Sequence, residues 1–204
     1  FDIAILRYFT EPLLMPFIII WFLKQTTLKS RQSYYILSSL IFSWIGDIFM
    51  MFNDELNLLF GIAFFVSTHI IYILFLSNIP ASDKSYFREK PILLLVVFVY
   101  LIEMLYILWP YLEGLKVPVL IYSILISIMM LLAMWQYKRI SNRASLALIT
   151  GAWLFVLSDT VNAVYKFRFP FTWGMELVQI TYVAGQVLLV LGYLNLVKEQ
   201  AHNN

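Results

Sequence analysis

Two aspartates lie inside long apolar stretches of the sequence. Asp47 lies in the run 34–52, and Asp159 lies in 151–164, which reads G-A-W-L-F-V-L-S-D-T-V-N-A-V. A carboxylate is costly in a low-dielectric environment, so an acid within such a run suggests a functional site. Carboxylates on two helices could perform acid–base chemistry or relay protons, and they could equally form structural hydrogen bonds inside a helix bundle.

Other polar side chains could line a pocket with these two acids. Counting about 1.5 Å per residue from the segment ends places Asp47, Glu103 and Asp159 at similar depths in one half of a membrane. His69 and Gln186 lie nearer the midplane, where His69 could instead form an interhelical hydrogen bond. Glu11 and Glu176 lie near segment ends and could instead reach the lipid headgroups. The predicted substrate-binding set is Glu11, His69, Glu103, Asn162, Glu176, Gln179 and Gln186.

Several other kinds of catalytic site are excluded. A catalytic zinc site commonly has about three protein ligands, often histidines, and the only histidines are His69 and His202. The chain has no cysteine and no G-x-S-x-G, Walker or H-E-x-x-H motif. Ser67 and His69 are two residues apart on a helix and therefore point in different directions. The two aspartates remain the strongest candidates.

The composition indicates that these residues are carried by membrane-spanning helices. The 204 residues are 62% hydrophobic and 13% charged, with a mean hydropathy of +0.82, whereas soluble domains are about 25% charged. We predict an all-α, polytopic transmembrane bundle that forms one integral membrane domain over 1–204. A net charge of +2 with scattered cations excludes a nucleic-acid surface.

Seven apolar segments are long enough to cross a bilayer core of about 30 Å. Most of the prolines fall at segment edges, where a missing N–H is tolerated, and the first segment is the shortest. The seven predicted spans are 8–23, 34–52, 56–76, 92–109, 117–137, 145–165 and 173–197.

The basic residues predict the orientation of these spans. Ten of the fourteen Lys and Arg residues fall on one side of seven alternating spans, and the richer side is expected to be cytoplasmic. The C-terminus is then inside and Phe1 outside. Because an outside start without a signal peptide is unusual, we predict an eighth span upstream. The expected location is the inner membrane of a bacterium or the endoplasmic reticulum of a eukaryote.

Four short motifs in order along the chain resemble the YhhN-like lysoplasmalogenase family. They are G-D-I-F-M-M at 46–51, G-I-A-F-F-V-S-T-H-I-I-Y at 61–72, G-A-W-L-F-V-L-S-D at 151–159 and Y-V-A-G-Q at 182–186. The resemblance implies eight transmembrane helices, and it matches the family's motif aspartates to Asp47 and Asp159 and its motif histidine to His69. Many members have Lys-Pro where this chain has Glu11-Pro12, so the resemblance does not carry a role for that lysine over to this chain.

The resemblance also implies a reaction. Family members cleave the vinyl ether of lysoplasmalogens to a fatty aldehyde and glycerophospho-ethanolamine or -choline. Protonation of the β-carbon gives an oxocarbenium ion, which water captures as a hemiacetal that then breaks down. One aspartate would donate the proton and the other would stabilise the cation. Our assignment is Asp159 as donor and Asp47 as stabiliser, although the sequence is compatible with the reverse.

The remaining roles and partners follow from this reaction. His69 would hold the water or the phosphate ester, and neither a metal nor an organic cofactor is required. The expected partners are a lysophospholipid, water and the surrounding membrane lipids.

Two other functions remain open from the sequence. Intramembrane carboxylates also act as proton relays, so the chain could be a proton-coupled transporter or a lipid-binding membrane protein. Discontinuous helices in paired halves would favour transport, but the sequence contains only a faint internal echo, in which Asp47 is followed by His69 and Asp159 by Gln186. A non-catalytic membrane scaffold is the third possibility.

Overall fold

The described part of the protein is entirely helical, as predicted. A computed structural model describes residues 3–52, 54–80 and 91–203, with side chains placed for 12–52, 54–80 and 91–199. Within these ranges there is no β-strand, and two short 3-10 turns lie between the fourth and fifth helices. The helices are α1 (Ile3–Gln25), α2 (Arg31–Met50), α3 (Glu55–Ser77), α4 (Ile92–Leu108), α5 (Lys116–Trp135), α6 (Asn142–Phe167) and α7 (Gly174–Asn203).

Six of the seven predicted spans are confirmed. The helical segments that contain α2 to α7 are 20 to 26 residues long and apolar enough to cross a membrane. The predicted span 8–23 stays a prediction: α1 is helical over Ile3–Gln25, and the apolar stretch among its described side chains, Pro12–Gln25, falls in a shorter class of 10–17 residues. The predicted eighth span stays a prediction.

The helices group into two compact units. Phe1–Asn78 is the first unit and contains α1 to α3, and Ile79–Asn204 is the second and contains α4 to α7. Each unit has its own internal packing, which fixes a different part of the predicted site. The prediction of one integral domain over 1–204 stays a prediction.

Small residues bring α2 and α3 together in the first unit. A Cβ on Gly46 would lie 3.0 Å from the Phe65 ring, and one on Gly61 would lie 2.9 Å from Met50 Cγ. About one turn from Gly46, on the side away from Met50, the Ser43 hydroxyl donates to Thr68 Oγ1 at 3.3 Å. Small and hydroxylic residues at a helix interface allow close approach and interhelical hydrogen bonds in an apolar environment.

A proline explains how α1 is attached to α2. Pro16 has no N–H, so the carbonyl of Pro12 one turn earlier has no helical donor. The indole N–H of Trp44 on α2 donates to that carbonyl at 2.8 Å. A side chain from a neighbouring helix thus satisfies the backbone group that the proline leaves open.

Two glycines set the distance between α6 and α7 in the second unit. A Cβ on Gly151 would lie 2.9 Å from the Gly185 carbonyl oxygen, and one on Gly185 would lie 3.0 Å from the Gly151 carbonyl oxygen. The backbones of these helices are therefore in direct contact. This crossing fixes the position of the α6 segment that carries Asp159.

Candidate functional site

Three consecutive residues of α6 make hydrogen bonds to three different helices of the second unit. Ser158 Oγ donates to the Val178 carbonyl of α7 at 3.1 Å. The Tyr122 hydroxyl of α5 donates to Asp159 Oδ2 at 2.6 Å. Thr160 Oγ1 is 2.5 Å from the Tyr100 hydroxyl of α4. We call residues 158–160 the polar triplet, and Asp159 is at its centre.

The helical geometry explains why one short segment reaches three neighbours. Successive side chains on an α-helix are rotated by about 100°, so three in a row cover more than half of its circumference. Ser158 is buried and packs towards α7, whereas Asp159 and Thr160 are half-buried on the sides that α5 and α4 occupy. The polar triplet therefore links α4, α5 and α7 to α6 at one depth.

The direction of the Tyr100 hydrogen bond follows from the other bond that Thr160 makes. Thr160 has one hydroxyl hydrogen, and it donates that hydrogen to the Val156 carbonyl at 2.7 Å. The hydroxyl of Tyr100 must therefore be the donor to Thr160. Tyr100 and Tyr122 both direct a phenolic O–H at the polar triplet, one to a hydroxyl and the other to a carboxyl.

Of the predicted residues in the second unit, three lie near Asp159 along the helix axes. Ser158 faces Val178 and Gly151 faces Gly185, so this antiparallel register puts Glu176 and Gln179 within about one turn of Asp159. Asn162 lies about one turn further along α6. All three side chains are half-buried. A polar region therefore extends from Asp159 towards the end of α6 that carries Phe167.

The two remaining predicted residues of this unit lie elsewhere. The α6–α7 register puts Gln186 about 13 Å from Asp159 along the helices, and its side chain is fully buried. Glu103 is on α4 with its side chain exposed, next to Ile102, which is 50% exposed. The outward position of Glu103 separates it from the residues that surround Asp159.

The first unit carries Asp47 and His69 on neighbouring helices. Asp47 is half-buried, one turn after Ser43 on the buried side of α2, and His69 on α3 is fully buried next to Thr68. Since Ser43 faces Thr68 and Gly46 faces Phe65, His69 lies about 7 Å from Asp47 along the helix axes. The histidine is the deeper of the two, as the sequence predicts. The side chain of Glu11 lies outside the described residues.

The sequence did not indicate the two tyrosines that contact the polar triplet. Tyr100 and Tyr122 lie in aromatic-rich apolar segments, where tyrosine usually serves as packing or lipid contact, and neither belongs to the four motifs. The one available signal was their depth, since both lie about as far from their helix ends as Asp159 does. Among the described residues, no group of three or more His, Asp or Glu side chains could hold a metal ion.

Comparison with known proteins agrees with the four motifs. Two curated relatives are named lysoplasmalogenase TMEM86A, one from Bos taurus with 28% identity and one from Homo sapiens with 29% identity over 165 residues. Each alignment covers 74% of this chain and 62% of the relative, so the chain spans less than two thirds of their length. No solved structure matches the chain. Residues 6–193 match the YhhN family over nearly the whole sequence, and the chain belongs to that family.

Proposed function

We propose that this protein is a membrane-embedded hydrolase that cleaves the vinyl ether bond of lysoplasmalogens. The products are a fatty aldehyde and a glycerophospho-ethanolamine or -choline. Membership of the YhhN family and the names of the two relatives support this substrate class. The observation that carries the proposal is the carboxyl group of Asp159, held by Tyr122 inside an apolar bundle at 2.6 Å.

The Tyr122 contact favours one role for Asp159. Its Oδ2 accepts a hydrogen bond from the phenol, so that oxygen presents lone pairs and the carboxyl group is held in a fixed orientation. A fixed acceptor suits the stabilisation of an oxocarbenium ion and the orientation of the attacking water. We therefore reverse the assignment made from the sequence and propose Asp159 as the cation stabiliser and Asp47 as the proton donor.

The proposed reaction balances with these two groups and water. The acid transfers its proton to the β-carbon of the vinyl ether, and the positive charge develops on the adjacent carbon and the ether oxygen. Water adds to that carbon, and its proton passes to a carboxylate, which gives a hemiacetal. Collapse of the hemiacetal forms the aldehyde and returns a proton to the glycerol oxygen. Asn162, Glu176 and Gln179 would surround the polar part of the substrate, and His69 would orient the water or the phosphate.

Aldehyde release tests this function directly. Purified protein in lipid nanodiscs is incubated with lysoplasmalogen, and free aldehyde is followed over time. Asp47→Asn and Asp159→Asn should each abolish release, since the amides keep the side-chain shape but can neither donate a proton in this way nor carry the charge. Glu113→Gln is the matched control, because this exposed acid lies in a short turn outside the α helices, and its activity should be unchanged.

Two results would contradict the proposal. If the wild-type protein releases no aldehyde, the function is wrong. If either Asp→Asn variant keeps wild-type activity, the role of that aspartate is wrong even though the function stands. Thermal unfolding of each variant in detergent shows whether a loss of activity reflects a loss of folding.

The proposed mechanism predicts that both aspartates act on the same vinyl ether. Because the sequence has no cysteine, a variant with Asp47→Cys and Asp159→Cys can be cross-linked without background. A short bis-maleimide should join the two positions within one monomer. Absence of the cross-link, with both thiols shown to react singly, would refute the paired-aspartate mechanism.

A further inference from the structure

An open apolar groove runs between α4 and α5 of the second unit. Its volume is about 550 Å³, within the range of about 300–1,000 Å³ for small-molecule sites. Its walls include Leu94, Leu95, Phe98 and Leu101 of α4 and Ile124 and Leu131 of α5. Among the described lining residues, the one polar side chain is Ser127, and its hydroxyl donates to the Ser123 carbonyl at 2.7 Å. The groove therefore offers a hydrocarbon surface along its length.

One end of this groove lies at the depth of the polar triplet. Leu101 is adjacent to Tyr100, whose hydroxyl is bonded to Thr160, and Ile124 is two residues from Tyr122, whose hydroxyl is bonded to Asp159. The other end is at Pro91, about 15 Å from Leu101 along α4. An occupant would therefore be apolar over most of its length, and one end of it would lie at the depth of the Asp159 carboxyl group.

The groove is accessible from the side of the bundle. In α4, Leu94, Leu95 and Phe98 are 45%, 53% and 59% exposed, and 11% of its most apolar stretch is buried, against 44% for α5. Since α4 is predicted to cross the membrane, these side chains would face hydrocarbon. A lipid chain could enter laterally from the bilayer without crossing a polar surface.

We infer that the groove between α4 and α5 binds the single hydrocarbon chain of the lysolipid and thereby holds the vinyl ether beside Asp159. The inference rests on the function proposed above. The vinyl ether lies where the chain joins the glycerol, so the chain runs from Leu101 towards Pro91 and the headgroup lies beyond Asp159. Lys116 begins α5 and Lys166 lies in the last turn of α6 at that end, where a phosphate would be located.

The groove serves mainly to position the hydrocarbon chain of the lipid, and it adds little to the affinity for the lipid. The bilayer and the groove are both apolar, so transfer of the chain between them changes the hydrophobic free energy little. A fixed chain does, however, hold the reactive carbon within reach of the catalytic groups, and a misplacement of about 1 Å can cost about 100-fold in rate. Obstruction of the groove should therefore lower kcat/KM for long chains and leave short chains unaffected.

Leu94→Trp tests this consequence. Leu94 lies about 10 Å from Leu101 along α4, so a tryptophan there should block a long chain and spare a chain that ends before it. We expect kcat/KM to fall at least tenfold for a long-chain lysoplasmalogen and less than twofold for a short-chain one. Ile102→Trp is the matched control, because Ile102 has a similar exposure of 50% on the same helix but does not line the groove. Equal chain-length profiles for the two variants would overturn the inference.

A second measurement does not depend on activity. A 1-O-alkyl lysophospholipid has no vinyl group to protonate, so it is not a substrate, and a diazirine at its chain end marks the residues that it contacts. In nanodiscs, this probe should label peptides around Leu94 and Leu131, and unlabelled alkyl lysophospholipid should compete. Labelling spread over the outer surfaces of all helices without competition would overturn the groove even if aldehyde release is observed. Groove-specific labelling by a protein that releases no aldehyde would instead refute only the proposed reaction.

A second copy of the chain is the other possible occupant. Leu94→Cys introduces the sole cysteine into the chain, and spontaneous disulfide-linked dimers in the membrane would show that another copy covers the groove. That result would overturn the inference. Monomeric Leu94→Cys protein whose thiol is protected by alkyl lysophospholipid would support it.

Discussion

Replacement of Gly151 by alanine should weaken the α6–α7 crossing on which the polar triplet depends. The new Cβ would lie 2.9 Å from the Gly185 carbonyl oxygen and 2.9 Å from the Leu189 amide nitrogen. Both are backbone atoms of α7, so they can move only if the helix moves. The matched substitution is Gly61→Ala, whose Cβ would meet Met50 Cγ at 2.9 Å, in a flexible side chain that can change its rotamer.

The comparison of the two variants isolates the steric contribution. Both glycines lie inside helices, so both variants gain about 1 kcal/mol from the higher helix propensity of alanine. Overpacking a rigid contact typically lowers stability by about 1–3 kcal/mol. This full cost applies only to Gly151→Ala. We expect Gly61→Ala to be neutral or more stable than wild type, and Gly151→Ala to be less stable than Gly61→Ala by about 1–3 kcal/mol.

Equilibrium unfolding in mixed detergent, followed by tryptophan fluorescence, measures this difference. Gly185→Ala should resemble Gly151→Ala, and the double variant should cost less than the sum of the two, because one separation of the helices relieves both contacts. If Gly151→Ala proves as stable as Gly61→Ala, the backbone contact between α6 and α7 does not limit their packing. The reasoning from the glycine geometry would then be refuted.

Three further predictions concern individual hydrogen bonds. Tyr122→Phe removes a hydrogen bond to a carboxyl group, and such a bond is worth about 1.5–3 kcal/mol. The kcat for aldehyde release should therefore fall by about 10- to 100-fold with KM nearly unchanged. An unchanged kcat would show that this contact does not serve the reaction. Trp44→Phe removes the indole N–H that donates to the Pro12 carbonyl. The free energy of unfolding, measured by the same detergent titration, should fall by about 1–3 kcal/mol. Equal stability would mean that another group replaces the indole. Asp54 caps the start of α3 and accepts hydrogen bonds that lower its pKa below the ordinary value of 3.8. The cap therefore stabilises the helix above pH 3.8, and this stabilisation is lost as the pH falls through the lowered pKa. Hydrogen exchange in the first turn of α3 should show this loss, whereas the Asp54→Ala variant should lack protection there at every pH.

The sequence predicted the helices well because membrane-spanning segments leave a strong local signal. Every predicted span has a helix at its place, and the all-α class follows from the need to satisfy each backbone group within its own segment. The span predicted at α1 has the weakest sequence signal, because Pro12 and Pro16 lie in it and its apolar run is the shortest. The segment is helical over Ile3–Gln25, as the sequence predicts, and its crossing of the membrane stays a prediction.

The sequence indicates the type of each polar side chain and its position along a helix. It does not indicate which neighbouring helix the side chain faces, so the candidate site could be predicted only in part. Asp159 was identified from its unusual position in an apolar helix, and the positions of Asp47, His69 and Gln186 along their helices follow from counting residues. Glu103 appeared equivalent to Asp159 by depth, yet its side chain points outward from α4. Each residue turns the side chain by about 100° around the helix axis, so a shift of one or two positions decides whether an acid faces a neighbouring helix. The nearly uniform apolar sequence of α4 does not indicate which of its sides faces the bundle.

The sequence by itself determined that this chain is a helical membrane protein of the YhhN type with acids in its spans, since hydropathy and motif order are properties of the linear chain. Only the tertiary structure decided which groups hold the acid at 159. Tyr122 and Tyr100 come from helices that precede α6 by tens of residues, and they meet it because α5 and α4 pack against α6. The physical reason is that hydrogen bonds between helices depend on register and rotation, which are set by packing.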